Sequence, residues 1–531
     1  MEQLLLVNGD FITLDPARQR AQALLVDGER IAAIGSEREV SAVAAAGARR
    51  VDLGGKTAVP GFNDNHIHAV SGGHHSQRPL LYGMDTEEVI AHLRERHDGI
   101  PRGGLISGFG WDYETCPNPH RSILDRAFPG HPVVLHQFSG HAVWVSSEAL
   151  RRMRIDRRTP DPPHGRIIRD EKGEPTGVLR ELGNNRWLRK QFAARHSHPP
   201  SIEAYLLRAL EDYGRLGITS VQDNTWFHRV LGVLAALRRE GRLTTRFTYW
   251  FRGERRREAL LMRMRRLDDS WLRPGPWKYF LDGTFSARSA WLTEPYADES
   301  EQSGLGKSRE QIIPLIEPHV RSRDPRGRAQ VACHAIGDRA IQEYLDVVEE
   351  LAARYPWITT MRLRIEHGQL IRSEDIPRLR RLGVLIAAQP HALGTPEKDA
   401  RLLGARRAER AYPYRSLLDE GVALSFGSDF PGEPTLDPML GIHYVVNRSG
   451  PERITVEEAL RCYAVGSAYA EFQEEVKGSL APGKLADLAV LSADPTAVAS
   501  ERLREIRVEM TIAGGRVVHQ LVRDPSAAAV K

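Results

Sequence analysis

The sequence predicts an α/β fold: a (β/α)8 TIM-like barrel with a small β-sandwich domain formed by both termini and a large insertion after the first barrel strand. Three observations predict it. Eight short apolar runs alternate with long amphipathic stretches, both chain ends are rich in short strands, and a gap of about 150 residues separates the first two runs, where a βα unit needs far fewer. At 531 residues the chain is long enough for a barrel with an accessory domain.

The barrel is predicted from the eight apolar runs, whose β-branched residues and short lengths are typical of parallel strands covered by helices. The first run ends just before His66, and the others lie at residues 219–222, 246–250, 278–281, 330–333, 364–366, 384–387 and 423–426. Eight such units are the number that closes a parallel barrel.

The two ends of the chain are predicted to pair into one composite β-sandwich domain, residues 1–58 and 475–531, beside a barrel domain of residues 59–474. Their short apolar runs are residues 4–7, 23–26, 31–34, 486–491 and 510–513. The N-terminal runs are separated by Asn-Gly and Asp-Gly pairs, which are typical of hairpin turns.

The long gap after the first barrel strand is predicted to be an inserted segment, residues 75–215. Within it, residues 165–170 and 176–180 flank a polar turn and predict a hairpin. Because the segment leaves from the C-terminal rim of a barrel strand, we expect it to cover the active site.

Composition excludes several classes of function. The chain has 41% hydrophobic and 27% charged residues, an ordinary globular balance. Its formal net charge of +5 is small, and its arginine clusters lack interleaved aromatic residues, so we expect no nucleic-acid partner. The three cysteines are scattered, which argues against a disulfide framework. Without a signal peptide or an apolar span, a cytoplasmic enzyme with no membrane contact is expected.

Imidazole and carboxylate side chains follow the predicted strands. His66 and His68 end the first run, and alternate residues of a strand point to one face, so both imidazoles project into the barrel mouth. His334, His367 and Asp429 each directly follow a later run, at the rim where barrels gather catalytic groups. These five side chains predict a metal site.

Seven motifs extend over nearly the whole chain. They are PGFNDNHIH at 60–68, GFGWD at 108–112, GITSVQD at 217–223, HAIGDR at 334–339, EH at 366–367, SD at 428–429 and GKLADL at 483–488. In these motifs the sequence resembles the amidohydrolase superfamily and, within it, the YtcJ-like amidohydrolase 3 group, and it is similar to N-substituted formamide deformylases. The motifs are specific for the superfamily and much less specific for a substrate.

The resemblance implies a divalent metal, with zinc expected and one or two ions per chain. It places His66, His68 and Asp429 around the more buried ion, and His334 and His367 around a second one. Imidazole and carboxylate ligands also accept manganese, iron or nickel, so the metal is not determined by the residues alone.

The resemblance further implies that Lys278, on the fourth strand, is carboxylated and bridges two ions, since an ammonium group is not a ligand. The alternative is an ordinary lysine neutralised by a nearby carboxylate such as Asp282. The site would then hold one ion, and His367 would hold the water or the substrate.

Either version predicts the same first step. A metal brings the pKa of bound water towards 7 and polarises the substrate carbonyl. Asp429 is the candidate base that takes the proton from water and passes it to the leaving nitrogen. His367 is the second candidate for a catalytic role.

Weaker candidates for contact with substrate come from the rim loops and the insertion, and for each a structural role remains open. They are His391, Trp111, Asp112, His141, Trp144, Asp282 and Arg288.

The sequence therefore predicts a metal-dependent amidohydrolase that cleaves a non-peptide C–N bond in a small molecule, such as an amide, an N-formyl or N-acyl amine, or a cyclic amide. A metal-dependent deaminase of an amino-substituted heterocycle is the alternative, because attack on an imine-like carbon needs much the same residues. A non-catalytic assembly protein on the same barrel is a distant alternative. Homodimers are common among oligomers, so a homodimer is the expected assembly.

Overall fold

A computed structural model confirms the predicted α/β fold. It describes residues 3–75, 79–162, 165–181, 187, 199–224, 229–252, 268–301, 303–322 and 329–521. Parts of the predicted insertion and the last ten residues of the predicted C-terminal segment lie outside these ranges.

The described strands are as follows in chain order. The N-terminal strands are β1 Leu4–Val7, β2 Asp10–Asp15, β3 Arg18–Ala21, β4 Ala23–Asp27, β5 Arg30–Gly35, β6 Arg49–Asp52 and β7 Thr57–Pro60. The first barrel strand and the strands of the insertion are β8 Phe62–Ile67, β9 Ile106–Trp111, β10 Val133–Gln137, β11 Ala142–Val145, β12 Arg166–Arg169 and β13 Pro175–Arg180. The remaining barrel strands are β14 Ile218–Asp223, β15 Arg246–Phe251, β16 Leu272–Phe280, β17 Val331–Ala335, β18 Arg364–His367, β19 Leu385–Ala388 and β20 Leu424–Phe426. The C-terminal strands are β21 Leu488–Leu491, β22 Val508–Ala513 and β23 Arg516–Gln520.

The described α-helices run alongside these strands. They are α1 Glu37–Val43, α2 Ala69–His75, α3 Thr86–Arg96, α4 Arg121–Ala127, α5 Ser147–Met153, α6 Pro199–Arg215, α7 Arg229–Arg239, α8 Arg309–Ser322, α9 Asp338–Arg354, α10 Ile376–Leu382, α11 Pro396–Leu403, α12 Ala405–Arg410, α13 Tyr414–Glu420, α14 Pro438–Asn447, α15 Val456–Arg461 and α16 Ser467–Ala470. In α9 the buried residues recur every three or four positions, so one face of the helix covers the barrel.

The barrel is an eight-stranded parallel sheet in the order β8-β14-β15-β16-β17-β18-β19-β20. The first and last strands in this order, β8 and β20, are linked by hydrogen bonds of a side chain and of the backbone. The Asn65 side chain donates to the Ser425 hydroxyl at 2.7 Å, and the Asp429 amide donates to the His66 carbonyl at 2.7 Å. The eight predicted runs coincide with these strands within a few residues.

Strands from both termini pair beside the barrel. Strand β21 lies between β7 and β22 in a six-stranded sheet, and β1, β4, β5 and β6 form a four-stranded sheet. The predicted Asp-Gly hairpin is present between β4 and β5. The Asn-Gly prediction was wrong: after β1 the chain crosses to the other sheet, because β1 pairs with β4 and β6 while β2 pairs with β3 and β7.

Asp487, in the GKLADL motif, joins the terminal sheets to the barrel. Its carboxylate accepts hydrogen bonds from the Arg246 guanidinium of β15 at 2.7 and 3.0 Å and from the Gly514 amide at 2.8 Å. The guanidinium also stacks on Trp271, 4.4 Å from the ring centroid. Both charged side chains are buried, so each charge depends on the other.

Replacing Asp487 by alanine is expected to destabilise the protein by about 3–5 kcal/mol, because it leaves the buried Arg246 charge with only a longer ion pair to Glu29, at 3.7 Å. Denaturant titration of the native and variant proteins measures the change. Arg502→Ala, which removes an exposed ion pair with Glu505, is the control and should cost less than about 1 kcal/mol. Equal losses in the two variants would contradict the role given to Asp487.

The described part of the insertion contains a five-stranded sheet in the order β12-β13-β11-β10-β9, which includes the predicted hairpin as β12 and β13. This sheet contacts loops on the rim of the barrel. Lys398 of α11 pairs with Asp112 at 2.6 Å, and Arg180 pairs with Glu299 at 3.1 Å. The described part of the insertion therefore lies over the C-terminal ends of the barrel strands.

Within the described ranges, no helix combines the length and the hydropathy needed to cross a bilayer.

Candidate active site

The structure brings together the four histidines and the aspartate that were predicted at the strand ends. The imidazole centroids of His66 and His68 lie 5.7 Å apart, and those of His66 and His367 lie 5.2 Å apart. His334 lies 4.4 Å from His367. His66 lies near the end of β8 and His68 directly follows the strand, β17 and β18 contribute His334 and His367, and the loop after β20 contributes Asp429, so the cluster occupies the C-terminal end of the barrel.

His66, His68 and Asp429 form the most compact part of the cluster. One potential ligand atom from each residue lies within 4.8 Å of the other two. The His68 Nε2 atom is 3.1 Å, and the His66 Nε2 atom 3.6 Å, from the Asp429 Oδ1 atom. Asp429 adopts a φ of 55°, and its amide is held by the His66 carbonyl. This backbone conformation directs the carboxylate towards the two imidazoles.

Each of the four imidazoles has one ring nitrogen at hydrogen-bonding distance from an oxygen atom. His68 Nδ1 donates to the Asn224 carbonyl at 2.7 Å, and His334 Nε2 donates to the Gly283 carbonyl at 2.9 Å. His367 Nδ1 lies 2.6 Å from the side-chain oxygen of Gln389, whose amide nitrogen donates to a backbone carbonyl. Because a carbonyl oxygen only accepts, the bonded ring nitrogen carries the hydrogen. The other nitrogen of a neutral ring then presents a lone pair.

Burial keeps three of these rings in the neutral form that binds metals. It lowers the pKa of His66 and His334 well below the usual range, and it lowers the pKa of His367 to about 3. Burial opposes ionisation of Asp429, but its close contact with His68 outweighs burial, so the pKa of Asp429 lies below its ordinary value. Neutral imidazoles around a carboxylate are the protonation states that metal binding requires.

Lys278 lies on β16 and points into the same space. It is only 4% exposed, and no described residue accepts a hydrogen bond from its Nζ atom. The Nζ atom stands 5.0 Å from the ring centroid of Phe280 and 5.9 Å from that of Trp250. Burial lowers the pKa of Lys278 to about 7.

The alternative in which Asp282 neutralises this lysine has no support in the described contacts. The Asp282 carboxylate accepts from the backbone amides of Trp291, Ile336 and Gly337 at 2.8–3.3 Å. Among the described residues no ion pair joins Asp282 to Lys278. The amides of the rim loops therefore satisfy Asp282.

A side chain of the described part of the insertion, that of His141, reaches the cluster. The His141 ring lies 5.0 Å from the His334 ring and pairs with Glu181 at 2.9 Å. Ser289, on the loop after β16, donates to the same Glu181 carboxylate at 2.6 Å. Burial opposes protonation of His141, but Glu181 outweighs it and raises the pKa of His141.

The other predicted contact residues have different partners. Trp111 donates to the Leu135 carbonyl and packs edge-to-face with Trp144 inside the insertion. Asp112 pairs with Lys398. Arg288 pairs with Asp298 and Glu299, and His391 lies 2.9 Å from the Asp437 carbonyl through Nε2, while its Nδ1 atom is buried without a hydrogen-bond partner.

Sequence reasoning missed the residues that hold the imidazoles. Glu366 accepts from His66, Asn224 binds His68 through its carbonyl, and Gln389 accepts from His367. One signal was available, because Arg364 and Glu366 are charged residues two positions apart in a buried strand and must point to the same side. The Asn224 and Gln389 contacts left no comparable pattern in the sequence.

A divalent cation fits this set of residues. One ring nitrogen of His66, one of His68 and a carboxylate oxygen of Asp429 lie within 4.8 Å of one another, and the Asp429 Oδ1 atom is buried without a hydrogen-bond partner. Nitrogen and carboxylate ligands of this kind suit zinc and related divalent metals.

A (β/α)8 barrel with such a cluster at its C-terminal rim defines a metal-dependent hydrolase. Residues 49–519 match the family described as the amidohydrolase family, and the chain belongs to that family. Its relatives include the Bacillus subtilis (strain 168) protein that carries the name amidohydrolase YtcJ, 30% identical over 97% of this chain and 99% of the relative. The N-substituted formamide deformylase of Arthrobacter pascens is 30% identical over 97% of this chain and 98% of the relative.

A solved structure of a metal-dependent hydrolase is also similar to this chain. An uncharacterized metal-dependent hydrolase from Pyrococcus furiosus is 30% identical, with a TM-score of 0.69, covering 93% of this chain and 100% of the other. The family resemblance predicted from the sequence motifs is confirmed, and the chain is a hydrolase acting on carbon–nitrogen bonds.

Proposed function

We propose that the protein cleaves the C–N bond of an amide, an N-formyl or N-acyl amine, or a cyclic amide. The observation that carries the proposal is the set of four imidazoles, three of them buried and that of His68 half-buried, beside the carboxylate of Asp429. Relatives of nearly full length with amidohydrolase and formamide deformylase names support the choice of bond.

In this proposal His66, His68 and Asp429 would hold one divalent ion, with zinc expected, and His334 and His367 would hold a second. Lys278, carboxylated by carbon dioxide with loss of a proton, would supply the carbamate shared by the two ions. The burial of its Nζ atom without a hydrogen-bond partner supports this role, because a carbamate would bring two oxygens into a space that now offers the amine no acceptor.

When bound, the metal polarises the substrate carbonyl and makes water a better nucleophile. Asp429 takes the proton from the attacking water and returns it to the leaving nitrogen. The carboxylate is well placed for this role, because it lies at the open side of the cluster beside His68. If the site holds only one ion, His367 would instead hold the water or the substrate.

Substrate contacts are proposed for His141, His391, Trp111, Asp112, Asp282 and Arg288. The strongest of these is His141, because its ring lies beside His334 and Glu181 fixes its orientation. The hydrogen bonds of Asp282, Trp111 and Arg288 to protein groups favour an indirect role in shaping the pocket. A homodimer remains the expected assembly.

The test combines metal analysis with product analysis. Elemental mass spectrometry of the native protein should find one or two equivalents of metal, and His66→Ala should lose them. His92→Ala, a half-buried histidine of α3 outside the cluster, is the matched control. N-formyl and N-acyl amines should then release a carboxylate and an amine.

Two results would contradict the proposal. Release of ammonia from amino-substituted heterocycles, without amide cleavage, would favour the deaminase. Absence of metal in protein purified without chelators would remove the hydrolytic mechanism altogether.

A further inference from the structure

A chain of hydrogen bonds beneath the cluster determines which nitrogen of His66 carries the hydrogen. Arg252 donates through Nε to the side-chain oxygen of Asn224 at 2.7 Å. The amide nitrogen of Asn224 therefore faces His66 Nε2, at 3.0 Å. An amide nitrogen only donates, so His66 Nε2 accepts and Nδ1 carries the ring hydrogen.

His66 in turn donates a hydrogen bond to the Glu366 carboxylate. Its Nδ1 atom is 2.6 Å from Glu366 Oε2, and Arg364 Nε is 2.8 Å from Glu366 Oε1. Both carboxylate oxygens thus accept. Arg364 also donates to the Gln222 side chain and to the Asn65 carbonyl, at 3.0 Å for the latter, and its guanidinium stacks on Trp250. Arg364 and Glu366 are both fully buried, so protein groups surround the ion pair between them.

We infer that Glu366, held by Arg364, is a positioning residue that fixes the metal-binding tautomer and direction of His66. The inference rests on the proposed function, since it assigns a role towards the ion. His68 and His334 are held by backbone carbonyls and His367 by an amide oxygen, so Glu366 is the charged acceptor among the four. A carboxylate partner orients an imidazole ligand and makes it more basic.

A comparable buried ion pair, between Glu471 and Lys477, lies at the other end of the barrel. Glu471 is also buried, and it binds Lys477 and Asn63 at 2.7 Å and Thr248 near the beginnings of the barrel strands. It touches none of the four imidazoles in the described contacts. Glu471→Gln therefore removes a buried charge of the same kind without touching the metal site.

The experiment measures the zinc dissociation constant by chelator competition and the thermal midpoint of the metal-stripped protein. Glu366→Gln should weaken zinc binding by about 10–100-fold. A glutamine offers one oxygen to the two donors His66 and Arg364, so it cannot satisfy both. Glu471→Gln should lower the thermal midpoint and leave the zinc dissociation constant unchanged.

Unchanged zinc binding in Glu366→Gln, or an equal loss in Glu471→Gln, would overturn the inference. If Glu366→Gln does not fold, Arg364→Lys is the second test. Lysine keeps the positive charge but loses the hydrogen bonds of the guanidinium to Gln222 and to the Asn65 carbonyl. Weaker zinc binding in this variant supports the inference, and native affinity overturns it. Failure of the native protein to bind zinc or another divalent metal would instead remove the proposed function itself.

Discussion

Asp429→Asn is expected to lower kcat by about 10²–10⁴-fold, the usual contribution of a positioned general base. Asparagine keeps the shape of the side chain, but its amide oxygen is neutral and is a far weaker base than a carboxylate. The site would also lose negative charge beside His66 and His68. Steady-state kinetics on the best N-formyl or N-acyl amine, with metal analysis of the same samples, measures both effects.

Asp346→Asn is the control for this experiment, because Asp346 pairs with Arg378 on the outer helices of the barrel. It should keep the native kcat and metal content. An Asp429→Asn protein with native kcat would exclude Asp429 as the base, whatever its metal content.

Lys278→Met is expected to lower the metal content from near two equivalents to near one. Methionine has a similar length but cannot form a carbamate, so the ion held by His334 and His367 would lose its bridging ligand. Elemental mass spectrometry gives the stoichiometry. Carbon-13 NMR of protein prepared with labelled bicarbonate should show a carbamate resonance in the native protein and not in the variant.

Lys477→Met is the matched control, since Lys477 is also buried in the barrel but pairs with Glu471. It should lower stability and leave the metal content unchanged. Two equivalents in Lys278→Met would contradict the bridge. One equivalent in the native protein, unaffected by the loss of Lys278, would establish the mononuclear version and raise the deaminase alternative.

In the insertion, the local sequence pattern predicted only some of the strands. Its hairpin was predicted because β12 and β13 are contiguous and joined by a polar turn. Strands β9 and β10 were missed because they pair in parallel across a helix, so no turn signal joins them in the sequence. Strand β11 was missed although it pairs with β10 across a short turn that contains Gly140. The Asn-Gly pair after β1 failed for the related reason that a turn signal does not specify which sheet the next strand joins.

The sequence by itself determined the barrel and the five residues at its rim. Apolar runs of strand length report burial, and in a parallel barrel every residue that follows a run lies at the same end. The side-chain partners were decided only by the tertiary structure. Glu366 lies 300 positions from His66, and barrel closure alone brings the two within hydrogen-bonding distance. The isolation of Lys278 from Asp282 likewise depends on the backbone amides that occupy Asp282, and these come from loops folded over the rim.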